Sequence, residues 1–261
     1  MKLSSANINV MVKACRKASK TLIRDFGEIE NLQVSLKGPG DFVTASDKKV
    51  EKILIDELKN ARPNYSILSE EAGEIKKEDE FKWIIDPIDG TSNFLHGIPH
   101  FAISIGLEHK NEIICGIVYD PIKDEMFTAE KGNGAYLNNQ RIRVSARSEL
   151  KNCMIFTGGP KHDALDKEKS MEEYNNFSSK ILAPIRKLGS ASLDIAYVAS
   201  GRCDGFWQRN LNYWDFAAGI ILVKEAGGFI TDFNGENKYI DNKTILVTNG
   251  KINSQMMQVL K

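Results

Sequence analysis

The chain has 261 residues, enough for one large domain or two modest ones around a sizeable core. Lysine plus arginine and aspartate plus glutamate both number 35, so the formal charge is zero and no basic excess points to nucleic acid or to a membrane surface. The four cysteines, Cys15, Cys115, Cys153 and Cys203, are widely spaced, with neither a Cys-x-x-Cys pair nor a histidine at zinc-site spacing, which predicts reduced, buried thiols. The longest apolar run near the N-terminus, Ile8 to Val12 interrupted by Asn9, is too short for a signal-peptide core, and no stretch reaches the length of a membrane span; a soluble cytoplasmic protein is expected.

Ile8, Met11, Val12, Cys15, Ala18, Leu22 and Phe26 fall on one face of a helix, and Lys13, Arg16, Lys17 and Lys20 lie largely off it, as a solvated basic side. Leu32 to Leu36 alternates as a short strand, and Lys37-Gly38-Pro39-Gly40 reads as a turn. Asp41 to Asp47 leads into a helix with Val50, Ile53, Leu54 and Leu58 on one face, ended by Arg62-Pro63. Thr44 and Asp47 have capping-box spacing, so Asp47 has a local reading as a cap as well as one as a catalytic base. Tyr65 to Leu68 reads as a buried strand running into Ser69-Glu70-Glu71-Ala72-Gly73; paired glutamates on a loop are usually solvated, but their place at a strand end makes them candidate ligands.

Trp83 to Phe94 is the densest stretch. An apolar run ends in Asp86, followed within a few residues by Asp89, Gly90, Thr91 and Asn93. Pro87 donates no backbone hydrogen bond, so the strand is expected to end there in a turn. Asp-Pro and Asp-Gly pairs are common turn formers; a turn with small residues and free N–H groups is also a good place to hold a phosphate beside metal ions.

Phe101 to Leu107, Ile113 to Tyr119, Met126 to Ala129 and Arg141 to Val144 read as strands of an antiparallel meander with short connections. Beyond Arg147, strands at Met154 to Thr157, Gly205 to Trp207, around Phe229 and at Ile245 to Val247 alternate with a charged segment, Lys161 to Lys180, and with helices from about Ser192 and from Trp214 to Val223. Asp215 is placed as the N-cap of the last of these. One unit over 1–261 is expected, with an α+β lobe of about 1–147 and an α/β lobe of 148–261.

Glu70, Asp86, Asp89 and Asp215 each sit at the boundary of an apolar element. A set of clustered carboxylates needs cations to coexist, and ligation by oxygen alone selects a hard ion such as magnesium. On Asp41 to Asp47, Ser69-Glu70-Glu71, Trp83 to Phe94, Gly189-Ser190-Ala191 and Trp214-Asp215 to Gly228, the chain resembles the inositol monophosphatase family of lithium-sensitive, magnesium-dependent phosphomonoesterases over nearly its whole length. The resemblance implies the layered α-β-α-β-α sandwich shared with fructose-bisphosphatases, a homodimer, and two to three Mg2+ ions per site. It implies one ion on Glu70, Asp86 and the carbonyl of Ile88, a second on Asp86, Asp89 and Asp215, and a third, weaker one near Glu70.

The same resemblance implies that Thr91, oriented by Asp47, helps to activate water, with Glu70 a further catalytic residue. Gly90 and Thr91 would offer N–H groups to phosphate, and Gly189, Ser190, Ala191, Gln208 and Asp215 would contact substrate. The family's acidic residue seven positions before Asp215 is replaced by Gln208, which weakens the case for inositol phosphate specifically. Arg209 could meet a second anionic group, and Lys37 resembles a family lysine displaced by one position. The expected function is hydrolysis of a small phosphorylated polyol or sugar, first of all myo-inositol monophosphate. The alternatives are a phosphatase for fructose 1,6-bisphosphate, histidinol phosphate or 3'-phosphoadenosine 5'-phosphate, and a regulator contacting RNA or the transcription machinery, to which zero net charge lends no support.

Overall fold

The structure, a computed structural model, describes residues 5–28, 34–38, 41–159 and 164–260, the side chains of 34–38, 41–44 and 164–165 excepted. The strand start at Leu32, the Pro39-Gly40 turn, the side chains of Lys37 and Thr44 and the beginning of the Lys161 segment lie outside what is described.

The first helix, α1 (Ala6–Gly27), starts where the Ser5 side chain accepts the N–H of Ile8 at 3.2 Å, and it buries Met11, Cys15, Ala18 and Leu22 on one side. A hairpin, β1 (Val34–Gly38) and β2 (Asp41–Thr44), leads to α2 (Ala45–Ala61), which packs along α1. The basic side of α1 is solvated, as expected, and its exposed cations also form ion pairs. Lys13 and Lys17 both reach Glu57 of α2, Arg16 reaches Tyr119 and Asp124, and Arg24 reaches Asp25. Such exposed pairs contribute little each.

Next come β3 (Ser66–Ser69), β4 (Gly73–Ile75), β5 (Phe81–Asp89), the single-turn α3 (Thr91–Leu95), β6 (Ala102–His109), β7 (Glu112–Asp120), β8 (Glu125–Glu130), β9 (Gly134–Leu137) and β10 (Gln140–Ile142). They form an eight-stranded sheet in the order β10-β9-β8-β7-β6-β5-β3-β4, antiparallel apart from the β3–β5 pair. The meander is as expected, with β9 added between the two turns on either side of it. The second half contributes β11 (Ile155–Thr157), α4 (Ala164–Ser178), α5 (Ala191–Ala199), β12 (Gly205–Arg209), α6 (Tyr213–Glu225), β13 (Phe229–Thr231), α7 (Tyr239–Asn242), β14 (Thr244–Thr248) and α8 (Asn253–Leu260). Its four-stranded sheet runs β11-β12-β14-β13, with β11 and β12 parallel and the other pairs antiparallel.

Three apolar clusters define five layers. One joins α1 and α2 to one face of the large sheet through Leu22, Leu54, Trp83, Ile85 and Ile105. The central cluster places α5 and α6 between the two sheets, with Val118 and Phe127 on one side and Phe206 and Val247 on the other. The third holds Phe177, Trp207, Leu246 and Met256 under α4 and α8. This is an α-β-α-β-α sandwich. The middle helix approaches the large sheet closely, because a Cβ on Gly116 would lie 2.6 Å from the Ala218 carbonyl oxygen. All four cysteines are free and buried, and burial pushes the thiols of Cys115 and Cys153 up to about 12. Among the described residues no helix is long and apolar enough to cross a membrane.

Candidate active site

The expectation that Pro87 ends the strand is corrected: β5 continues through it to Asp89. Its ladder with β6 pairs Asp86 with Ser104 and then Asp89 with Ala102, so the register shifts across Pro87 and Ile88. A bulge accommodates the missing donor, and the Asp86 Oδ1 accepts the Ile88 N–H at 3.0 Å in place of a ladder bond. With the strict alternation broken, two carboxylates three residues apart come to the same end of the sheet.

Asp215 joins them from α6, whose N-terminus is fixed to β6 by the Tyr213 hydroxyl donating to Glu108 at 2.7 Å. It is not the N-cap. Asn212 is, and Asp215 is the third helical residue of a capping box, its Oδ2 accepting the Asn212 N–H at 2.7 Å. Each of Asp86, Asp89 and Asp215 presents a carboxylate oxygen within 4.8 Å of the others. Their exposures are 1%, 8% and 9%, so water does little to separate their charges.

Asp89 is held by the start of α5. Its Oδ2 accepts the hydroxyls of Ser190 and Ser192, each at 2.5 Å, and the Ser192 N–H at 2.7 Å; among the described residues its Oδ1 accepts only the Ala191 N–H, at 3.3 Å. Burial raises the Asp89 carboxyl and these bonds oppose the rise. One oxygen is saturated and the other keeps a lone pair, which suits a carboxylate that is oriented by helix donors and still ligates an ion. Asp86 has less relief: burial first, then the charges of Glu70, Asp89, Asp215 and Asp47, push it well above the usual carboxylate range. Glu70, at the β3–β4 turn, is bound to β5 by its own N–H on the Ile85 carbonyl at 3.3 Å. An all-oxygen, buried, mutually repelling donor set fits a hard divalent cation.

Beside this cluster, Thr91 opens α3. Its hydroxyl lies 2.9 Å from the Ile88 carbonyl and 3.2 Å from Asp47 Oδ1, in the first turn of α2. Its one proton serves either acceptor, leaving lone pairs to accept from a water. Gly90 has φ +95°, and a Cβ there would lie 3.1 Å from the His100 carbonyl and 3.2 Å from that of Gly189. The segment before α5 is therefore pressed against the turn, and Asn93 Nδ2 pins it by donating to both His100 O and Leu188 O at 2.7 Å.

The residues expected to contact substrate divide. Gly189 stays at the turn, with φ +89° and Asn93 against it. Ser190 and Ala191 are engaged with Asp89, because a helix N-terminus seeks a carboxylate. Gln208 lies over Gly158, where any Cβ would strike its Oε1. Arg209 is committed to Glu173 of α4 and to the Phe233 ring, 4.8 Å away, which removes it as a receptor for a second anion. Asn93 was noted in the dense stretch without a role, and Ser192 was not singled out as a site residue; a serine two residues into a helix that follows a Gly-Ser pair is the signal that could have found it.

These features agree with the comparisons. The model of the inositol monophosphatase family matches residues 5–260. An inositol-1-monophosphatase of Rhizobium meliloti is 50% identical over 98% of this chain and 97% of its own, and the Nus factor SuhB of Escherichia coli K12 is 39% identical over 96% and 94%. The crystal structure of the extragenic suppressor protein suhB of Bartonella henselae superposes with a TM-score of 0.95 at 50% identity, covering 98% of this chain and 99% of that one. From the acidic cluster to the order of its layers, this chain belongs to the inositol monophosphatase family.

Proposed function

We propose that the protein is a magnesium-dependent phosphatase of a small phosphate monoester, with myo-inositol monophosphate as the leading substrate. The observation that carries this reading is the convergence of Asp86, Asp89 and Asp215 within 4.8 Å, beside a threonine hydroxyl paired with a buried aspartate. In this reading Glu70, Asp86 and the Ile88 carbonyl would hold one ion, Asp86, Asp89 and Asp215 would hold a second, and a third, weaker one would bind near Glu70. When bound, magnesium lowers the pKa of a water and stabilises the charge that develops on the leaving ester oxygen. Thr91 would accept a proton from the attacking water as its own hydroxyl proton passes to Asp47. The water oxygen forms a bond to phosphorus as the P–O ester bond breaks, and the leaving alkoxide takes a proton from solvent, to which Asp47 returns the one it received. Gly90 and Thr91 direct backbone N–H groups at the phosphate. Gln208, with both a donor and an acceptor, meets substrate hydroxyls, and a homodimer is the assembly.

The test is phosphate release from a panel of inositol, sugar and nucleotide phosphates, with magnesium and with EDTA, using Asp86→Asn as the blank. Turnover of inositol monophosphate that needs magnesium supports the proposal; a folded, magnesium-binding protein inert on the whole panel overturns it. The relative named as a Nus factor favours a second reading, a regulatory one, and that reading gains only from the inert outcome.

A further inference from the structure

The turn that carries Glu70 is organised by a residue of α2. Glu51, 6% exposed, places its Oε1 among three donors: the Ser69 hydroxyl, and the N–H groups of Glu71 and Ala72, both at 3.0 Å. These bracket Glu70 on both sides, while the N–H of Glu70 itself is fixed to Ile85, the neighbour of Asp86. A single carboxylate oxygen facing two successive amides and a hydroxyl dictates the path of a short turn. Glu51 also lies one helical turn after Asp47, on the same side of α2, and both are buried. One helix face therefore reaches the Thr91 hydroxyl through Asp47 and the Glu70 turn through Glu51.

We propose that Glu51 is a positioning residue for the metal centre. It sets the direction of Glu70 toward Asp86 and, with Asp47, couples the water-activating side of the site to the metal-binding side through α2. Its three hydrogen bonds hold the one ligand that comes from a turn instead of from a long strand or helix. This inference rests on the reading of Glu70 as a metal ligand.

The test compares Glu51→Asp, Glu51→Ala and Glu51→Gln with Glu70→Gln in the full chain. Magnesium binding is followed by calorimetry, the magnesium dependence of phosphate release by titration, and thermal stability in EDTA by circular dichroism. Glu51→Asp keeps the charge but withdraws the carboxylate by about 1.5 Å, so it keeps the fold where Glu51→Ala does not. We expect magnesium affinity to fall roughly 10- to 100-fold in the Asp variant, the range for outer groups that orient ligands, while the Ala variant reports on stability alone. Substrate KM at saturating magnesium stays within about twofold, because ground-state contacts to substrate are untouched. Glu51→Gln, which keeps an acceptor oxygen at full reach, recovers most of the affinity. Wild-type magnesium affinity in folded Glu51→Asp overturns the proposal, even if its stability in EDTA has dropped. Wild-type affinity in Glu70→Gln overturns instead the assignment of Glu70 on which it stands.

Discussion

Asp86 is where burial and like charge act on one group. Its folded pKa is raised above the unfolded value, so its contribution favours folding below the ordinary carboxylate pKa and is lost as pH rises. At neutral pH and without metal, the carboxyl is a liability. Asp86→Asn should therefore make the protein in EDTA more stable, by about 1–2 kcal/mol or a few degrees in Tm, while abolishing turnover and the stabilisation by added magnesium. Differential scanning calorimetry with and without magnesium checks both signs; a less stable metal-free variant would contradict the repulsion. Thr91→Ala should cost on the order of 10² to 10⁴ in kcat, as for a group that aids proton transfer, which stopped-time phosphate assays would read. The acidic set was marked in the sequence because each member sits at the boundary of an apolar element, and its ligand roles were expected from the family resemblance. Glu51 was not: between Val50 and Lys52 on an amphipathic helix it reads as one more solvated charge, and only the fold brings the Ser69 turn onto it.

At the level of elements, the long periodic helices and the meander were readable because period and length agree, whereas β4, β9 and α7, three or four residues each, are too short to carry a period. Pro87 misled for a definite reason. Proline forbids a ladder bond, but a bulge removes the need for one, and sequence does not distinguish an ended strand from a bulged one. Asp215 likewise read as a cap because the competing cap, Asn212, lies three residues earlier at the same helix start. The close seating of α6 on β7 leads to a prediction for the element that brings Asp215. Gly116→Ala would drive a methyl group into the Ala218 carbonyl and Ile221, at 2.6 Å from each. The expected loss is about 1–3 kcal/mol in urea unfolding, with weaker magnesium binding because the helix moves away from the sheet. Unchanged urea stability and magnesium affinity would mean that α6 relaxes freely.

Across the whole molecule, the order of layers was foreseen from the family resemblance and not from periodicity, because only tertiary packing decides which sheet each face of α5 and α6 covers. Acid stability is a property at this scale. His100 is brought down to about 4, mainly by burial and further by Lys123, against Asp120; Asp194, 3.9 Å away, is itself held toward its neutral form by burial. A depressed histidine favours folding above its unfolded pKa of 6.5, and that contribution is lost as pH falls toward 4. His100→Asn should flatten the stability profile between those values by up to about 3 kcal/mol, measured by denaturant titration at several pH values. The cysteines have a related use. Cys15 and Cys115 lie in the cluster under α1 and α2, Cys203 in the central one and Cys153 in the one under α4 and α8, and burial holds every thiol above its ordinary pKa. Thiolates are the reactive form, so an alkylating reagent is excluded from each until its own layer opens. The native chain thus carries a clock in every hydrophobic compartment, and mapping which sulfur is modified first would time the order in which the sandwich comes apart.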